Sequence, residues 1–175
     1  DVGVIVLFEN LVKTDSQLTK IDIAGNGMSD LPIPVIVAAG KRFQFTFVCL
    51  DDNRITDKGL EMLGEGLINQ SDILEHFSIA GNQISGKGVR RLCAIILAAR
   101  RSVMKKLCIG RNEIDHSGLT ALATMFRHSE KVFHGNVGTA LLPVKSLAGA
   151  GTPQNGDIIM PVDITIPEET KLAAE

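Results

Sequence analysis

The sequence predicts an α/β solenoid, in which short parallel strands alternate with helices along a chain of stacked repeats. Three observations favour this fold class. A strand-like phrase with fixed apolar positions occurs four times, a helical pattern follows it, and the copies lie at nearly constant distances along the chain. Since neither one strand nor one helix buries enough apolar surface alone, we expect the copies to stack into one continuous core.

The repeated phrase places apolar residues at fixed distances from an asparagine. Its four copies read Leu18-x-x-Ile21-x-Ile23-x-x-Asn26-x-Met28, Phe45-x-x-Val48-x-Leu50-x-x-Asn53-x-Ile55, Leu74-x-x-Phe77-x-Ile79-x-x-Asn82-x-Ile84 and Met104-x-x-Leu107-x-Ile109-x-x-Asn112-x-Ile114. The asparagines follow one another at 27, 29 and 30 residues. Apolar residues at every second position share one face of a strand, so each phrase predicts a strand and the turn after it.

Helical patterns follow the last three copies of the phrase. Each begins at a glycine four residues after the last apolar position, namely Gly59, Gly88 and Gly118. The apolar residues that follow are spaced as on one buried helix face: Leu60, Leu63 and Leu67; Val89, Leu92 and Ile96; Leu119, Leu122 and Met125 or Phe126. After the first copy Pro32 replaces the glycine and Pro34 follows, so we expect this helix to start late and to be short.

In both patterns the chain resembles leucine-rich repeats of the ribonuclease-inhibitor type, with four repeats over residues 18–133. The resemblance implies a right-handed solenoid with parallel strands on the concave face and helices on the convex face. It also implies a structural role in the turns for the four asparagines: Asn26, Asn53, Asn82 and Asn112. Most members of this family bind proteins, so the resemblance implies protein partners.

Residues 1–17 are predicted to be the helix half of a repeat whose strand is absent. Gly3 precedes the first asparagine of the phrase by 23 residues, and Gly59 precedes the third by the same distance. On a helix over residues 3–14, three apolar residues are expected on the packing face: Val6, Leu7 and Leu11. Because residues 3–8 are too apolar for a solenoid cap, we expect this end to contact further chain or another subunit, with a built-in cap as the alternative.

The repeat period stops after Val132, and residues 134–175 are predicted to form an irregular C-terminal segment rich in Gly, Ala and Pro. Within it Val162, Ile164 and Ile166 alternate with polar residues between two prolines. Prolines restrict such a strand to the edge of a sheet. We expect either a strap that closes the last repeat or an arm that pairs with a neighbouring subunit.

Composition and motifs argue against several functional classes. The formal net charge of −2, from 18 basic and 20 acidic side chains, does not favour nucleic-acid binding. No run of residues is long and apolar enough to predict a membrane-spanning helix. The motifs G-x-S-x-G, G-x-x-x-x-G-K-[ST] and H-E-x-x-H do not occur, and the four histidines lack the spacing of metal ligands. We therefore predict no catalytic residue, no metal and no cofactor.

The three cysteines do not suggest a disulfide framework. Cys49 and Cys108 fall in the same strand column two repeats apart, which separates them by roughly 10 Å. A disulfide needs Cα atoms within about 7 Å, and Cys93 is expected to pack in the core as a small apolar residue. This favours an intracellular, reducing compartment, with the cytoplasm, cilium or cytoskeleton preferred and the mitochondrion possible.

The polar positions of the strand phrase form two columns on the concave face. The first contains Lys20, Phe47, His76 and Lys106, and the second contains Asp22, Cys49, Ser78 and Cys108. Phe47 is the large aromatic residue of these columns, where it is a binding hot spot or packs on the neighbouring strand. With the turn residues beyond the strands, the candidate partner-binding residues on this face are Phe47, Asp51, Asp52, His76, Lys106 and Arg111.

Charge is unevenly distributed along the chain. Residues 1–86 contain 6 basic and 12 acidic side chains, whereas residues 87–111 contain eight basic side chains and no acidic one. The candidate partner-binding residues of this basic segment include Arg90, Arg91, Arg100 and Arg101. The segment is either a solvated helix face or a docking patch for an acidic surface, such as a protein flank, a tubulin-like lattice, RNA or an anionic membrane.

Together these patterns favour a non-catalytic protein-protein interaction module. Its irregular, partly apolar ends suggest a scaffold subunit of a larger ciliary, cytoskeletal or mitochondrial assembly. One alternative is a regulator of a small GTPase, since the activating protein of the Ran GTPase uses similar repeats. A fragment of an innate-immune sensor or a pathogen effector is another alternative.

Overall fold

Helices and short strands alternate along the chain, as the repeats predict. The computed structural model describes residues 1–69, 73–99 and 104–132, so Arg100, Arg101 and the segment 134–175 with Val162, Ile164 and Ile166 lie outside the described residues. The elements in chain order are α1 (Val2–Leu11), β1 (Lys20–Asp22), α2 (Ile33–Phe43), β2 (Phe47–Cys49), α3 (Asp57–Leu63), a π-helical turn (Gly64–Ile68), β3 (His76–Ser78), α4 (Gly86–Ala98), β4 (Lys106–Cys108) and α5 (His116–Val132).

The four strands form one parallel sheet in the order β1-β2-β3-β4. Their middle residues lie in one column and are buried: Ile21, Val48, Phe77 and Leu107. The residues before and after them form the two columns that the phrase predicts, with Lys20, Phe47, His76 and Lys106 in one and Asp22, Cys49, Ser78 and Cys108 in the other. The predicted register is therefore confirmed.

The helices cover one face of this sheet and enclose a single apolar core. The predicted helix-face residues are buried at Leu60, Leu63, Leu67, Val89, Leu92, Leu122 and Met125, and partly buried at Ile96 and Leu119. The side chain of Phe126 lies outside the part of the chain that the structure describes. In the described residues no helix has the length and the apolar character needed to cross a membrane.

The repeated asparagines connect consecutive turns through their side chains. In the third repeat the buried amide group of Asn82 donates to three carbonyl oxygens: those of Leu50, Ile79 and Ala80, at 3.0, 3.2 and 3.1 Å. Its oxygen accepts the N–H of Ile55 at 3.0 Å. Asn53 and Asn112 make the same contacts to their own turn and to the preceding one. Each asparagine thus satisfies backbone groups that would otherwise be buried without partners.

A second ladder links the N-termini of the helices, and the sequence did not predict it. The carboxylate of Asp30 accepts both the N–H and the hydroxyl of Thr56, at 2.9 and 2.6 Å. In the same way the carboxylate of Asp57 accepts the N–H and the hydroxyl of Ser85. The carboxylate of Asp1 accepts the same two groups of Ser29. The signal in the sequence is a Ser/Thr-Asp pair in consecutive repeats, and the glycine that follows it leaves room for the carboxylate. A Cβ atom at Gly59 would overlap the Asp30 carboxylate.

The aspartate ladder ends between α4 and α5. Gly86 occupies the position of the ladder aspartate, and a Cβ atom there would overlap the carboxylate of Asp115. Asp115 instead accepts the hydroxyl of Ser117 at 2.5 Å and the N–H of Gly118 at 2.9 Å, which caps α5. Both hydrogen bonds lower the pKa of Asp115, and the bond from Ser117 has the larger effect.

The predicted packing face of α1 is wrong at Val6 and Leu7, whereas the third predicted residue, Leu11, is partly buried and packs against the core. Val6 and Leu7 are 50% and 48% exposed, whereas Phe8 is buried and packs with the core. Leu7 corresponds in the repeat to Leu63 of α3, which is buried. Within the described residues a strand precedes α3 in the chain, whereas α1 comes before the first strand. The helix also ends at Leu11 and not at the predicted residue 14.

The prediction for α2 agrees with the structure, although the helix is only one residue shorter than the next helical segment. It begins at Ile33, five residues after Met28, whereas α3 begins two residues after Ile55. The late start is therefore confirmed. The helix is also shorter than its counterparts in the next three repeats, since it has 11 residues, whereas α3 and the π-helical turn that continues it have 7 and 5, 12 together, α4 has 13 and α5 has 17. Pro34 lies in the first turn, where a missing N–H removes no helical hydrogen bond.

We expect Asn82→Ala to destabilise the fold by about 3 kcal/mol or more, because each buried backbone group that loses its partner costs about 1–3 kcal/mol. Asn26→Ala is the matched control. Asn26 is exposed and donates only within its own turn, to Ile23 and Ala24, so its loss should cost under about 1 kcal/mol. Urea denaturation measures both free energies of unfolding. Equal costs would show that the link between turns contributes little.

Candidate functional site

The face of the sheet opposite the helices carries the candidate binding residues. We call it the open face and define it by the side chains of Lys20, Asp22, Phe47, Cys49, His76, Ser78, Lys106 and Cys108. Lys20 and Asp22 on the first strand are exposed, and the residues of the other three strands are partly buried. The open face therefore brings together Phe47, His76 and Lys106 in one column, as the sequence predicts.

An aromatic pair lies at the centre of the first column. The rings of Phe47 and His76 have centroids 6.0 Å apart and planes tilted by 44°. Phe47 thus packs on the neighbouring strand, and both side chains still keep part of their surface exposed. The packing fixes the orientation of both rings, which lowers the entropy that each would lose on binding a partner.

Asp51 connects the end of β2 to the end of β3. Its Oδ1 atom accepts the hydroxyl of Ser78 at 2.6 Å and the N–H of Ala80 at 2.8 Å. The carboxylate therefore orders the neighbouring strand end at the border of the open face.

Asp52 pairs with Arg111 across two repeats. The guanidinium donates to both carboxylate oxygens, at 2.6 and 3.1 Å, and this contact raises the pKa of Arg111. The ion pair passes over Gly81 in the repeat between them, where a Cβ atom would overlap the Asp52 carboxylate. The sequence predicted both residues as separate candidates but did not predict their pairing.

The turn residue that precedes each asparagine makes this pairing possible. All four such residues have a positive φ: Gly25 (69°), Asp52 (53°), Gly81 (64°) and Arg111 (55°). At Asp52 and Arg111 the left-handed conformation points the side chains to the same side of their turns. A glycine between two charged residues leaves the space that the ion pair fills, and this alternation is the sequence signal for the pair.

The thiol of Cys49 is held in its protonated form. Burial raises its pKa to about 11, and the negative charges of Asp51 and Asp22 act in the same direction. Burial likewise raises the pKa of Cys93 to about 11. In the part of the chain that the structure describes, Cys49, Cys93 and Cys108 are not joined in disulfides.

Acidic groups pair with at least three of the basic side chains in the described part of segment 87–111. Arg91 on α4 donates to Glu61 at 2.8 Å and to Glu65 at 2.9 Å, both in the preceding repeat. Three further basic residues have the following partners: Lys105 pairs with Glu75 at 3.1 Å, Arg111 pairs with Asp52, and Arg90 donates to the hydroxyl of Ser117. Arg91, Lys105 and Arg111 therefore contribute their charge to contacts between repeats.

The described chain offers little for small-molecule chemistry. No cluster of His, Cys, Asp and Glu within the described residues could hold a metal ion. A groove with a cavity volume of about 20 Å³ lies between α2 and the π-helical turn and is lined by Gly40, Lys41, Phe45, Gly66, Leu67 and Leu74. This volume is far below the roughly 300–1,000 Å³ that is typical of ligand pockets.

We expect Gly81→Ala to destabilise the fold more than Gly25→Ala. Both glycines have a positive φ, so each substitution should cost about 1–2 kcal/mol in the backbone. A Cβ atom at Gly25 meets no atom within 4 Å, whereas at Gly81 it overlaps Asp52. Thermal unfolding of both variants measures the difference, which should disappear when Asp52→Ala is also present. A difference that persists in that background would exclude Asp52 as its cause.

We expect Cys49 to react slowly with iodoacetamide at pH 8. A pKa of about 11 leaves little thiolate at that pH, and only the thiolate is nucleophilic. The rate should increase roughly tenfold per pH unit up to about pH 11, and Asp22→Asn should accelerate it by removing a nearby negative charge. Peptide mass spectrometry after timed alkylation measures the rate at each cysteine. Alkylation of Cys49 at the rate of free cysteine would contradict the raised pKa.

Comparison with known proteins identifies the repeats. Residues 46–64 and 73–93 match the family model for the leucine-rich repeat. The first match covers β2 and α3, and the second covers β3 and the first half of α4. No curated protein shows significant sequence similarity to the chain. The chain therefore contains leucine-rich repeats, a motif typical of protein-protein interaction modules.

Proposed function

We propose that the chain is a non-catalytic protein-binding module of the ribonuclease-inhibitor-like type, with the open face as its concave binding surface. The observation that carries this proposal is the in-register alignment of four strands, which places Phe47 and His76 side by side between two lysines. Aromatic residues with partly exposed rings are frequent hot spots in protein interfaces.

The dimensions of the open face suit a polypeptide. Strands lie about 4.8 Å apart, so the column from Lys20 to Lys106 extends over roughly 14 Å. Asp51 and the Asp52–Arg111 pair hold the turns at the edge of this surface in one conformation. A surface that is already ordered before binding loses less entropy when a partner docks, which favours a stable complex.

A scaffold role in a larger assembly extends this proposal. The chain exposes apolar side chains at a second place, since Val2, Val6 and Leu7 of α1 lie outside the core. Two separate contact surfaces suit a subunit with more than one neighbour. Three cysteines without a disulfide favour a reducing compartment, and we propose the cytoplasm, cilium, cytoskeleton or mitochondrion as the location of the assembly.

Docking of an acidic surface on residues 87–111 stays a prediction. The ion pairs of Arg91, Lys105 and Arg111 leave less uncompensated charge than the sequence suggests. We therefore assign partner binding first to the open face.

We expect Phe47→Ala to weaken binding of the natural partner by about 30-fold, which corresponds to the loss of a hot spot worth about 2 kcal/mol. Leu97→Ala is the matched control, because Leu97 is a large apolar residue that is half exposed on α4, away from the open face. Co-purification of each tagged variant from the native source, quantified by mass spectrometry, compares the recovered partners. Loss of partners with Leu97→Ala alone would place the interface on the helices and contradict the proposal.

A further inference from the structure

The end of β2 on the open face combines an aromatic ring, a thiol and two carboxylates. Cys49 is the register partner of Asp22 on β1, and Asp51 follows it two residues later on the same face, where its carboxylate reaches the open-face residue Ser78. Phe47 lies two residues before Cys49. We call the space above the sulfur of Cys49, bounded by Asp22, Asp51 and Phe47, the acidic subsite.

Backbone groups hold both carboxylates of the acidic subsite in place. The Oδ1 atom of Asp22 accepts the N–H of Ala24 at 3.1 Å, and the Oδ1 atom of Asp51 accepts the N–H of Ala80 at 2.8 Å. Every hydrogen bond that the described residues donate to the side chain of Asp51 ends on Oδ1, that of Ser78 included. Its Oδ2 atom is therefore available to a partner, and Asp22 is exposed.

The two carboxylates act on the same place. Burial has the largest effect on the pKa of Cys49, which it raises to about 11, and the charges of Asp51 and Asp22 raise this pKa further. One strand spacing and two residues along the strand separate the Cα atoms of the two aspartates, a distance of roughly 8 Å. One cationic group above Cys49 would therefore contact both carboxylates.

The equivalent places on β3 and β4 lack this combination. Ser78 has thiols on both sides in its column, those of Cys49 and Cys108, and Ala80 follows it two residues later. Gly110 follows Cys108 at the same distance. On the three described strands β2, β3 and β4, carboxylates thus flank this column at Cys49 alone. The negative charge is confined to one place on the open face and does not extend along it.

We propose that the open face binds a polypeptide partner through an arginine of that partner, with the guanidinium above Cys49 and between the carboxylates of Asp22 and Asp51. This inference rests on the proposed function and adds the chemistry of the partner. A guanidinium has donors on several sides and stacks on aromatic rings, so it can contact both carboxylates and Phe47 together. The ammonium group of a lysine is a compact point charge and suits this arrangement less well.

Lys20 opposes a cationic partner from outside the acidic subsite. It is the register partner of Phe47 and lies at the start of β1, two residues before Asp22, whereas Asp51 follows the end of β2. Because Lys20 is exposed, solvent and salt weaken its repulsion of a guanidinium above Cys49. Removal of its charge should therefore strengthen binding of a basic partner, whereas it would weaken binding of an acidic one.

Peptides selected from a random library displayed on phage, with the full chain as the target, test this proposal. Peptides that bind the unmodified chain and Leu97→Ala but not Phe47→Ala bind the open face, and we expect most of them to contain arginine. Citrulline in place of that arginine keeps its shape and removes its charge, which should weaken binding by about tenfold or more. Isothermal titration calorimetry measures both affinities. This comparison changes only the peptide, so a folding defect of the chain cannot produce the effect.

Three substitutions in the chain complete the test. Asp51→Asn keeps an oxygen that can accept from Ser78 and Ala80 and removes the charge, so it should weaken the arginine peptide by about tenfold and leave the citrulline peptide unchanged. Lys20→Gln should strengthen binding of the arginine peptide by about threefold. Glu9→Gln, which removes an exposed carboxylate on α1, is the matched control and should change neither affinity.

The outcomes separate this proposal from the proposed function. If no selected peptide depends on Phe47, the open face is not a binding surface and both are contradicted. If peptides that depend on Phe47 bind equally well with citrulline, or are acidic and bind less tightly to Lys20→Gln, the arginine site is wrong and the protein-binding open face stands.

A disulfide experiment locates the arginine on the open face. An open-face peptide in which cysteine replaces that arginine, activated as a mixed disulfide with glutathione, should exchange with the thiol of Cys49. Cys108 is the control in the same column, since it lies two strands away, roughly 10 Å from Cys49. Peptide mass spectrometry identifies the residue that carries the peptide. Attachment to Cys108 in preference to Cys49 would overturn the proposed position.

Discussion

The asparagine ladder is the interaction on which the remaining structure depends. A sharp turn after each strand buries backbone N–H and carbonyl groups, and such groups cost free energy when they lack partners. The amide group of Asn82 satisfies carbonyls of its own turn and of the preceding one. Because Asn53, Asn82 and Asn112 each reach back to the turn before them, the ladder also sets the spacing of consecutive repeats. Strand register and helix placement follow from that spacing.

The open face is a consequence of this register. Once the turns are stacked, residues at equal positions of the phrase must lie side by side, so Phe47 and His76 meet although 29 residues separate them. The positive φ of the residue before each asparagine has a similar effect at the border of the sheet. It brings Asp52 and Arg111 together over Gly81. A binding surface can thus change its side chains at these positions without changing the backbone that presents them.

Local periodicity made the strands, the columns and most helix faces predictable from the sequence, because these features repeat within each phrase. The missed features depend on contacts between repeats. The hydrogen bonds of Asp30 to Thr56 depend on the distance between two stacked repeats, which the spacing of residues within one repeat does not determine. Leu7 is exposed although its spacing equals that of the buried Leu63, because burial depends on the neighbours of a helix and not on the spacing within it. The pairing of Asp52 with Arg111 depends on a positive φ in two turns that lie two repeats apart.

Contacts between repeats also account for part of the charge distribution. In a solenoid, side chains of one repeat face those of the next, so acidic residues in one repeat and basic residues in the following one attract each other. Arg91 on α4 lies between Glu61 and Glu65 of the preceding repeat in this way. Basic side chains that follow one another in the sequence can therefore form ion pairs with the preceding repeat, and only those left unpaired are available to a partner. Since these pairs are half exposed, each adds little stability alone, and their larger effect is to disfavour a slip of one repeat against the next, which would bring like charges together.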